Sequence, residues 1–216
     1  VRARRDQGRS SPPSRPPPTK RIVAIGCSTG GPEALARLLP RLPADFSMPV
    51  LVAQHMPASF TPLLARRLEQ RSVLRIHEAE DGEPLLPGTV LVAPGDRHLE
   101  VDETAAVARL SQEAPENSCR PSVDVLFRSV ARALGPRALG LVLTGMGRDG
   151  LEGARFLRQA GGEVWVQDET SSVVWGMPGL IHQARLATRV GDLAPLADGL
   201  LQRARPSRPG PGPTAH

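Results

Sequence analysis

Three side chains that together could carry out nucleophilic catalysis each follow a short apolar run of this 216-residue chain. Ser28 lies in residues 26–30 (GCSTG), which have the G-x-S-x-G spacing of a strand-to-helix turn that exposes a serine. His55 and Asp149 follow two other apolar runs. A serine hydroxyl needs a base to remove its proton, and a carboxylate can orient the imidazole that acts as this base. We therefore predict an acyl-transfer site with Ser28 as nucleophile, His55 as base and Asp149 as the orienting acid.

Each of these residues also has a plainer interpretation. The turn could be an ordinary strand–helix connection, whereas a dinucleotide site is disfavoured because G-x-G-x-x-G is absent and Asp45, about 20 residues on, falls in a loop. His55 could be a core or capping histidine, and Asp149 could cap a helix that begins at Leu151. The order Ser, His, Asp also differs from that of α/β-hydrolases, although a triad is defined by its geometry. The joint placement at three strand ends favours the catalytic interpretation.

The rest of the sequence alternates short apolar runs with helix-like segments. The runs at residues 22–25, 50–53, 139–143 and 164–166 are typical of buried parallel strands, and residues 122–134 carry apolar side chains at helical spacing. This alternation predicts an α/β fold, a doubly wound and mostly parallel sheet with helices on both faces. Ligands of such sheets bind beyond the carboxyl ends of the strands, where the three side chains are expected.

A β-hairpin insertion is also predicted. Residues 90–93 and 99–101 are rich in apolar side chains and flank residues 94–98 (PGDRH), a turn-like segment. We therefore expect these two short runs to pair with each other in antiparallel fashion.

Charge and proline are concentrated at the two ends of the chain. The formal net charge is +5, yet arginine and proline cluster in residues 1–20 and 203–216, and the central part is mildly acidic. Such terminal segments cannot bury enough apolar surface to fold. We therefore predict one catalytic domain over residues 21–202, flanked by disordered tails. Because only 3% of residues are aromatic and could stack on bases, we expect no nucleic-acid partner.

The sequence also indicates where the protein resides and whether it binds a metal or cofactor. No apolar run reaches the length of a membrane span and no signal peptide is visible, so we expect no membrane insertion. The two cysteines, Cys27 and Cys119, make a poor disulfide framework, which favours a reducing, cytoplasmic location. No cluster of His, Cys, Asp or Glu has metal-ligand spacing, so we expect neither a metal nor a cofactor. The oligomeric state is left open.

Seven stretches of the chain carry a resemblance to one family. They are residues 25–32 (IGCSTGGP), 54–57 (QHMP), 78–82 (EAEDG), 93–98 (APGDRH), 120–124 (RPSVD), 143–150 (LTGMGRDG) and 173–178 (VVWGMP). In these stretches, and in the order in which they occur, the chain resembles the catalytic domain of the bacterial chemotaxis protein-glutamate methylesterase family. The resemblance implies a nucleophile at Ser28, a base at His55 and an acid at Asp149, the same residues that the spacing indicated.

The resemblance further implies an activity. Family members hydrolyse glutamyl methyl esters on the cytoplasmic helices of chemoreceptors, release methanol and often deamidate receptor glutamines. Because Thr29 directly follows the nucleophile, we expect its N–H to hold the oxyanion. Met146 and Gly147 lie in the loop that must pack against His55, so we expect them to shape the pocket. Three other classes stay open: a general esterase of small molecules, a non-catalytic signalling adaptor on the same fold, and a nucleotide-binding oxidoreductase.

Three departures from the family pattern stand out. Family members usually carry an N-terminal phosphoacceptor receiver domain, but only residues 1–20 precede the predicted domain here. Either the chain is a fragment or it is a stand-alone enzyme. We expect constitutive activity of the chain as given, with any control coming from a separate response-regulator partner or from receptor proximity. Cys119 stands where the family pattern suggests histidine, and Trp175 replaces a smaller aromatic.

Overall fold

The computed structural model describes residues 21–204 of the chain. Both predicted tails lie outside the described residues, apart from Arg203 and Ala204, which end the last helix. The strands are β1 (Ile22–Cys27), β2 (Val50–Gln54), β3 (Arg75–Glu78), β4 (Thr89–Val92), β5 (His98–Val101), β6 (Ala108–Ser111), β7 (Ala138–Val142), β8 (Glu163–Gln167) and β9 (Arg189–Gly191). The helices are α1 (Gly31–Leu38), α2 (Thr61–Glu69), α3 (Val123–Leu134), α4 (Leu151–Gln159), α5 (Met177–Gln183) and α6 (Leu193–Ala204).

Seven of these strands form one sheet in the order β3-β4-β2-β1-β7-β8-β9, and every neighbouring pair is parallel. The central strands β1, β2 and β7 are buried along their whole length, which explains their continuous apolar sequence. In the register of β1, Cys27 pairs with Gln54 and Gly26 pairs with Val142. The carboxyl ends of these three strands therefore lie side by side at one edge of the sheet.

Helices cover both faces of the sheet, as the alternating sequence predicts. Helices α1, α2 and α6 pack on one face, where Val23 and Ile25 of β1 join their core. Helices α3, α4 and α5 pack on the opposite face, with Ile22 and Ala24 of the same strand. The doubly wound α/β prediction is thus confirmed.

Helix α3 approaches β1 unusually closely at its first residue. A methyl group on Gly26 would lie 2.3 Å from Val123 Cγ1, well inside van der Waals contact. Glycine at position 26 therefore lets the N-terminus of α3 reach the carboxyl end of β1. This contact sets the position of the site described below.

The predicted hairpin exists, but its strands are not the predicted ones. Strand β4 pairs in parallel with β2 and β3, and its four residues are all buried, so it belongs to the main sheet. The antiparallel hairpin is formed by β5 and β6, with His98 opposite Ser111. The expected pairing of residues 90–93 with 99–101 is therefore wrong, because burial on both faces draws β4 into the sheet.

Over residues 21–204, none of the helices is both long and apolar enough to cross a bilayer.

Candidate active site

Two of the predicted site residues directly follow neighbouring strands. The Ser28 N–H donates to the Thr144 carbonyl at 3.1 Å, and the His55 N–H donates to the Cys27 carbonyl at 3.1 Å. The sheet's hydrogen bonding therefore continues one residue past β1 and β2. This fixes the backbones of Ser28 and His55 side by side.

The turn after Ser28 has the geometry that its glycines predict. Gly30 has a φ of 83°, a left-handed conformation that glycine adopts without strain. The Gly31 N–H donates back to the Ser28 carbonyl at 2.8 Å, and Gln54 Nε2 donates to the same oxygen at 3.0 Å. The chain thereby bends sharply from β1 into α1 and leaves Ser28 partly exposed at the apex.

His55 and Asp149 form a direct pair. His55 Nε2 lies 2.8 Å from Asp149 Oδ2, with the aspartate 2% exposed and the imidazole 14% exposed. Because an ionised carboxylate only accepts hydrogen bonds, Nε2 must carry the proton in this contact. In the neutral ring, Nδ1 is then the nitrogen with a free lone pair.

The Asp149 carboxylate sits at the N-terminus of α3. Its Oδ2 accepts from the Val123 N–H at 2.7 Å, and its Oδ1 accepts from the Asp124 N–H at 3.0 Å and from Ser122 Oγ at 2.8 Å. Burial alone would raise the pKa of Asp149, but the hydrogen bonds from His55 and from α3 outweigh it and hold that pKa below its ordinary value. Asp149 is therefore ionised at neutral pH, with helix dipole and imidazole both facing its charge.

Asp149 does not cap the helix that follows it in sequence. Helix α4 begins after Gly150, which provides no side-chain cap, and the Asp149 carboxylate turns instead to α3. The alternative interpretation of Asp149 as a cap for α4 is thus wrong. The partner helix lies 25 residues earlier in the chain, a distance that no local pattern indicates.

A second carboxylate, that of Asp124, lies in the same buried cluster. It accepts from the Gly153 N–H at 2.6 Å and from Asn117 Nδ2 at 2.8 Å. Burial, aided by the charge of Asp149 and opposed by these hydrogen bonds, raises the pKa of Asp124 from 3.8 to about 6. Between pH 3.8 and about 6, the Asp124 carboxyl therefore keeps a proton in the folded protein that it releases in the unfolded chain.

This shift predicts how stability depends on pH. Because the folded state binds the extra proton, Asp124 contributes stability that is present below pH 3.8 and is lost as the pH rises to about 6. Asp124→Asn, whose amide oxygen can still accept from Gly153, should remove this loss. Thermal unfolding across this window should therefore show a shallower decline in the variant, with exposed Asp45→Asn as the matched control. Equal slopes in wild type and Asp124→Asn would contradict the assignment.

The second ring nitrogen of His55, Nδ1, lies beside the Cys119 thiol. Cys119 Sγ lies 3.7 Å from His55 Nδ1 and 3.4 Å from the Asn117 carbonyl, and it belongs to a tight turn closed by the pair Glu116–Cys119. Burial and then the charge of Asp149 raise the pKa of the Cys119 thiol. The hydrogen bonds of the described residues include none from the Ser28 hydroxyl.

From the sequence, Cys119 stands out only as one of two cysteines and as a departure from a family pattern. Its contact with His55 joins residues 64 positions apart. Asn117, whose side chain bridges Asp124 and Asp149, was not singled out at all. The unexpected residue type at position 119 was the only signal that could have directed attention to this turn.

The residues predicted for the oxyanion and the pocket surround the same edge. Within the part of the chain that the structure describes, the backbone N–H groups of Thr29, Met146 and Gly147 donate to no protein acceptor. Gly145 anchors the loop that carries Met146 and Gly147, since its N–H donates to the Val174 carbonyl at 2.9 Å. An open cavity of about 570 Å³ adjoins this loop. It is lined by Gly147, Arg148, Trp175, Gly176, Leu180 and Gln183.

Gly145 packs directly against Ser28. A methyl group at position 145 would lie 2.9 Å from Ser28 Cβ, 3.0 Å from its nitrogen and 2.5 Å from Met177 Sδ. We expect Gly145→Ala to displace Ser28 and to lower ester hydrolysis by about 100-fold, while overpacking costs about 1–3 kcal/mol of stability. Enzyme assays and thermal unfolding measure both effects.

Gly191→Ala is the control for this prediction, because its added methyl group would meet only Pro195 Cβ at 3.7 Å. A Gly145→Ala protein with normal turnover would show that the loop does not position Ser28.

No sequence spacing indicated a metal site, but the fold gathers His55, Cys119 and Asp149 so that their ligand atoms lie within 4.8 Å of one another. The three residues come from the end of β2, the turn before α3 and the loop after β7.

The chain thus has a doubly wound parallel sheet, with Ser28 and His55 directly after β1 and β2 and Asp149 in the loop after β7. A family model described as CheB methylesterase matches residues 23–200, so the chain belongs to the CheB methylesterase family.

Relatives and one solved structure agree with this membership. The chain is 50% identical over 201 residues to a protein-glutamate methylesterase/protein-glutamine glutaminase of Maricaulis maris, covering 92% of this chain and 50% of the relative. It is 53% identical over 191 residues to a protein of the same name from a Nocardioides species, covering 88% and 52%. The crystal structure of the Thermotoga maritima CheB methylesterase catalytic domain superposes with a TM-score of 0.82 at 39% identity, covering 84% of this chain and 97% of that one.

Proposed function

We propose that this chain is a serine hydrolase that removes methyl groups from glutamyl methyl esters of chemoreceptors and also deamidates receptor glutamines. The observation that carries the proposal is the His55–Asp149 pair, 2.8 Å long, beside Ser28 at the carboxyl edge of the sheet. Both activities appear in the names of the relatives. The chain spans about half the length of the curated relatives that it matches, so these activities are proposed for it.

The first step of the proposed mechanism is acyl transfer to serine. The Ser28 hydroxyl rotates toward His55 Nδ1, the nitrogen that the bond to Asp149 leaves with a lone pair. As Ser28 Oγ attacks the ester carbonyl, Nδ1 takes its proton and Asp149 stabilises the imidazolium that forms. Catalytic hydrogen bonds of this kind often tighten only when substrate binds.

The tetrahedral intermediate carries a negative charge on the former carbonyl oxygen. The N–H groups of Thr29, Met146 and Gly147 have no protein acceptor within residues 21–204, which supports them as donors to this oxyanion and as pocket residues. When the intermediate collapses, the C–O bond to the methoxy group breaks and His55 gives its proton to the departing oxygen, which leaves as methanol; for a glutamine amide the C–N bond breaks and the protonated nitrogen leaves as ammonia. Water, activated by the same base, then releases glutamate from Ser28.

The proposed partner follows from the substrate, since methylated chemoreceptor helices are the macromolecule that the enzyme would bind and demethylate. The described cysteines, Cys27 and Cys119, are both free, which supports a reducing compartment such as the cytoplasm.

Methanol release tests the proposal directly. Purified protein is incubated with receptor membranes carrying labelled methyl groups, and the volatile label is compared with turnover of a p-nitrophenyl ester. We expect methanol from the receptor and ammonia from receptors that carry glutamine. Hydrolysis of the p-nitrophenyl ester without receptor methanol would favour a general esterase, and neither reaction would favour an adaptor.

A further inference from the structure

The base nitrogen that Asp149 leaves free faces a second metal-binding donor. His55 Nδ1 and Cys119 Sγ are 3.7 Å apart, and nothing in the proposed esterase mechanism uses the thiol. Imidazole and thiolate are the two ligands that zinc prefers in proteins. The pair therefore has chemistry that the esterase reaction does not require.

The distance between the two atoms suits one shared ion. With Zn–S near 2.3 Å and Zn–N near 2.05 Å at a tetrahedral angle, the two donors of a zinc ion stand about 3.6 Å apart. The observed 3.7 Å is within about 0.2 Å of this separation. An ion can thus bind both donors with little movement of either side chain.

The hydrogen bond to Asp149 and the partial exposure of His55 and Cys119 also favour metal binding. Asp149 accepts from His55 Nε2 at 2.8 Å, and a carboxylate on the far nitrogen is the usual partner of a metal-binding histidine, because it orients the ring and raises its basicity. The imidazole is 14% exposed and Cys119 is partly exposed, so an ion can enter from solvent. Two coordination positions stay open for water.

We propose that His55 Nδ1 and Cys119 Sγ form a binding site for a thiophilic divalent cation, Zn²⁺ foremost, and that the bound ion switches the esterase off. Binding forms one Zn–S and one Zn–N bond and releases the thiol proton to solvent, with no change of oxidation state. The ion occupies the lone pair that would accept the Ser28 proton, so the base is blocked. The inhibition rests on the proposed function, but the binding of the ion does not.

Cobalt titration tests the binding without any assay of activity. Co²⁺ added to metal-free protein should give a one-to-one complex with a near-ultraviolet thiolate-to-cobalt charge-transfer band, and Zn²⁺ should displace it. Ser28→Ala should keep the band, and Cys119→Ala should lose it. Asp149→Asn should weaken binding by about 10–100-fold, the usual cost of removing a partner of the ligating histidine.

The second free cysteine supplies the matched control. Cys27 is fully buried, so Cys27→Ala should keep the band. A band that is absent from the wild type, or that survives in Cys119→Ala, would overturn the site, as would unchanged affinity in His55→Ala.

Activity then tests the switch. Zn²⁺ should inhibit ester hydrolysis by the wild type, and the ratio of rates with and without Zn²⁺ should return to one in Cys119→Ala, whatever the basal rate of that variant. An equal Zn²⁺ effect on both proteins would overturn the switch. A wild type that hydrolyses no ester would instead contradict the proposed function, and the cobalt titration would still decide the site.

Discussion

Replacing Ser28 with alanine should reduce ester hydrolysis by several orders of magnitude while leaving the fold intact. The alanine removes the only nucleophile of the proposed acyl transfer, and Ser28 Oγ makes no hydrogen bond among the described residues whose loss would destabilise the protein. Initial rates of methanol release, normalised to folded protein, measure the effect. The double variant with His55→Ala should be little slower than either single variant, because members of a triad act as a unit.

Exposed Ser59, in the loop after His55, provides the matched serine control, and Ser59→Ala should retain the wild-type rate. A Ser28→Ala protein that kept near-normal turnover would rule out Ser28 as nucleophile. Additive losses in the double variant would instead separate His55 from the serine and assign it another role.

Asp149→Asn should lower the turnover number by roughly 10⁴, the cost of the equivalent change in serine proteases. The carboxylate accepts the His55 Nε2 proton, whereas an amide can turn its NH₂ toward that nitrogen and favour the wrong tautomer. The proton would then reside on Nδ1, which could no longer accept from Ser28. Rates at saturating substrate, with KM measured alongside, separate this effect from a loss of binding.

The same substitution removes a charge from the N-terminus of α3, where Val123 and Asp124 donate their N–H groups to it. We therefore expect a stability loss of about 0.3–2 kcal/mol in addition to the kinetic effect. Asp198→Asn, on the exposed side of α6, is the control for charge removal alone. A variant that lost stability but kept its turnover number would make Asp149 a purely structural residue.

Much of the fold follows from local sequence pattern. Buried strands of a parallel sheet must be apolar along their length, so β1, β2 and β7 are recognisable without any tertiary information. Their alternation with helix-like segments leaves few topologies other than a doubly wound sheet. The G-x-S-x-G turn is equally local, because the bend after Ser28 depends on the left-handed conformation of Gly30.

The grouping of Ser28, His55 and Asp149 could also be predicted, since parallel strands bring their carboxyl ends to one edge. Their catalytic roles stay a prediction. The contact between the Asp149 carboxylate and the N-terminus of α3 could not be predicted in this way. It depends on the close approach that Gly26 allows to Val123, which is a matter of packing between elements.

Two further features depend on tertiary structure for the same reason. Strand β4 joined the main sheet rather than the hairpin, because burial of both its faces outweighed its nearness in sequence to β5. Cys119 reached His55 Nδ1 across 64 residues, although no motif links a thiol to this histidine. The sequence pattern of a segment predicts its secondary structure and which of its faces is buried. Which distant side chains meet depends on how closely those segments pack, and for this protein that packing decides the environment of His55.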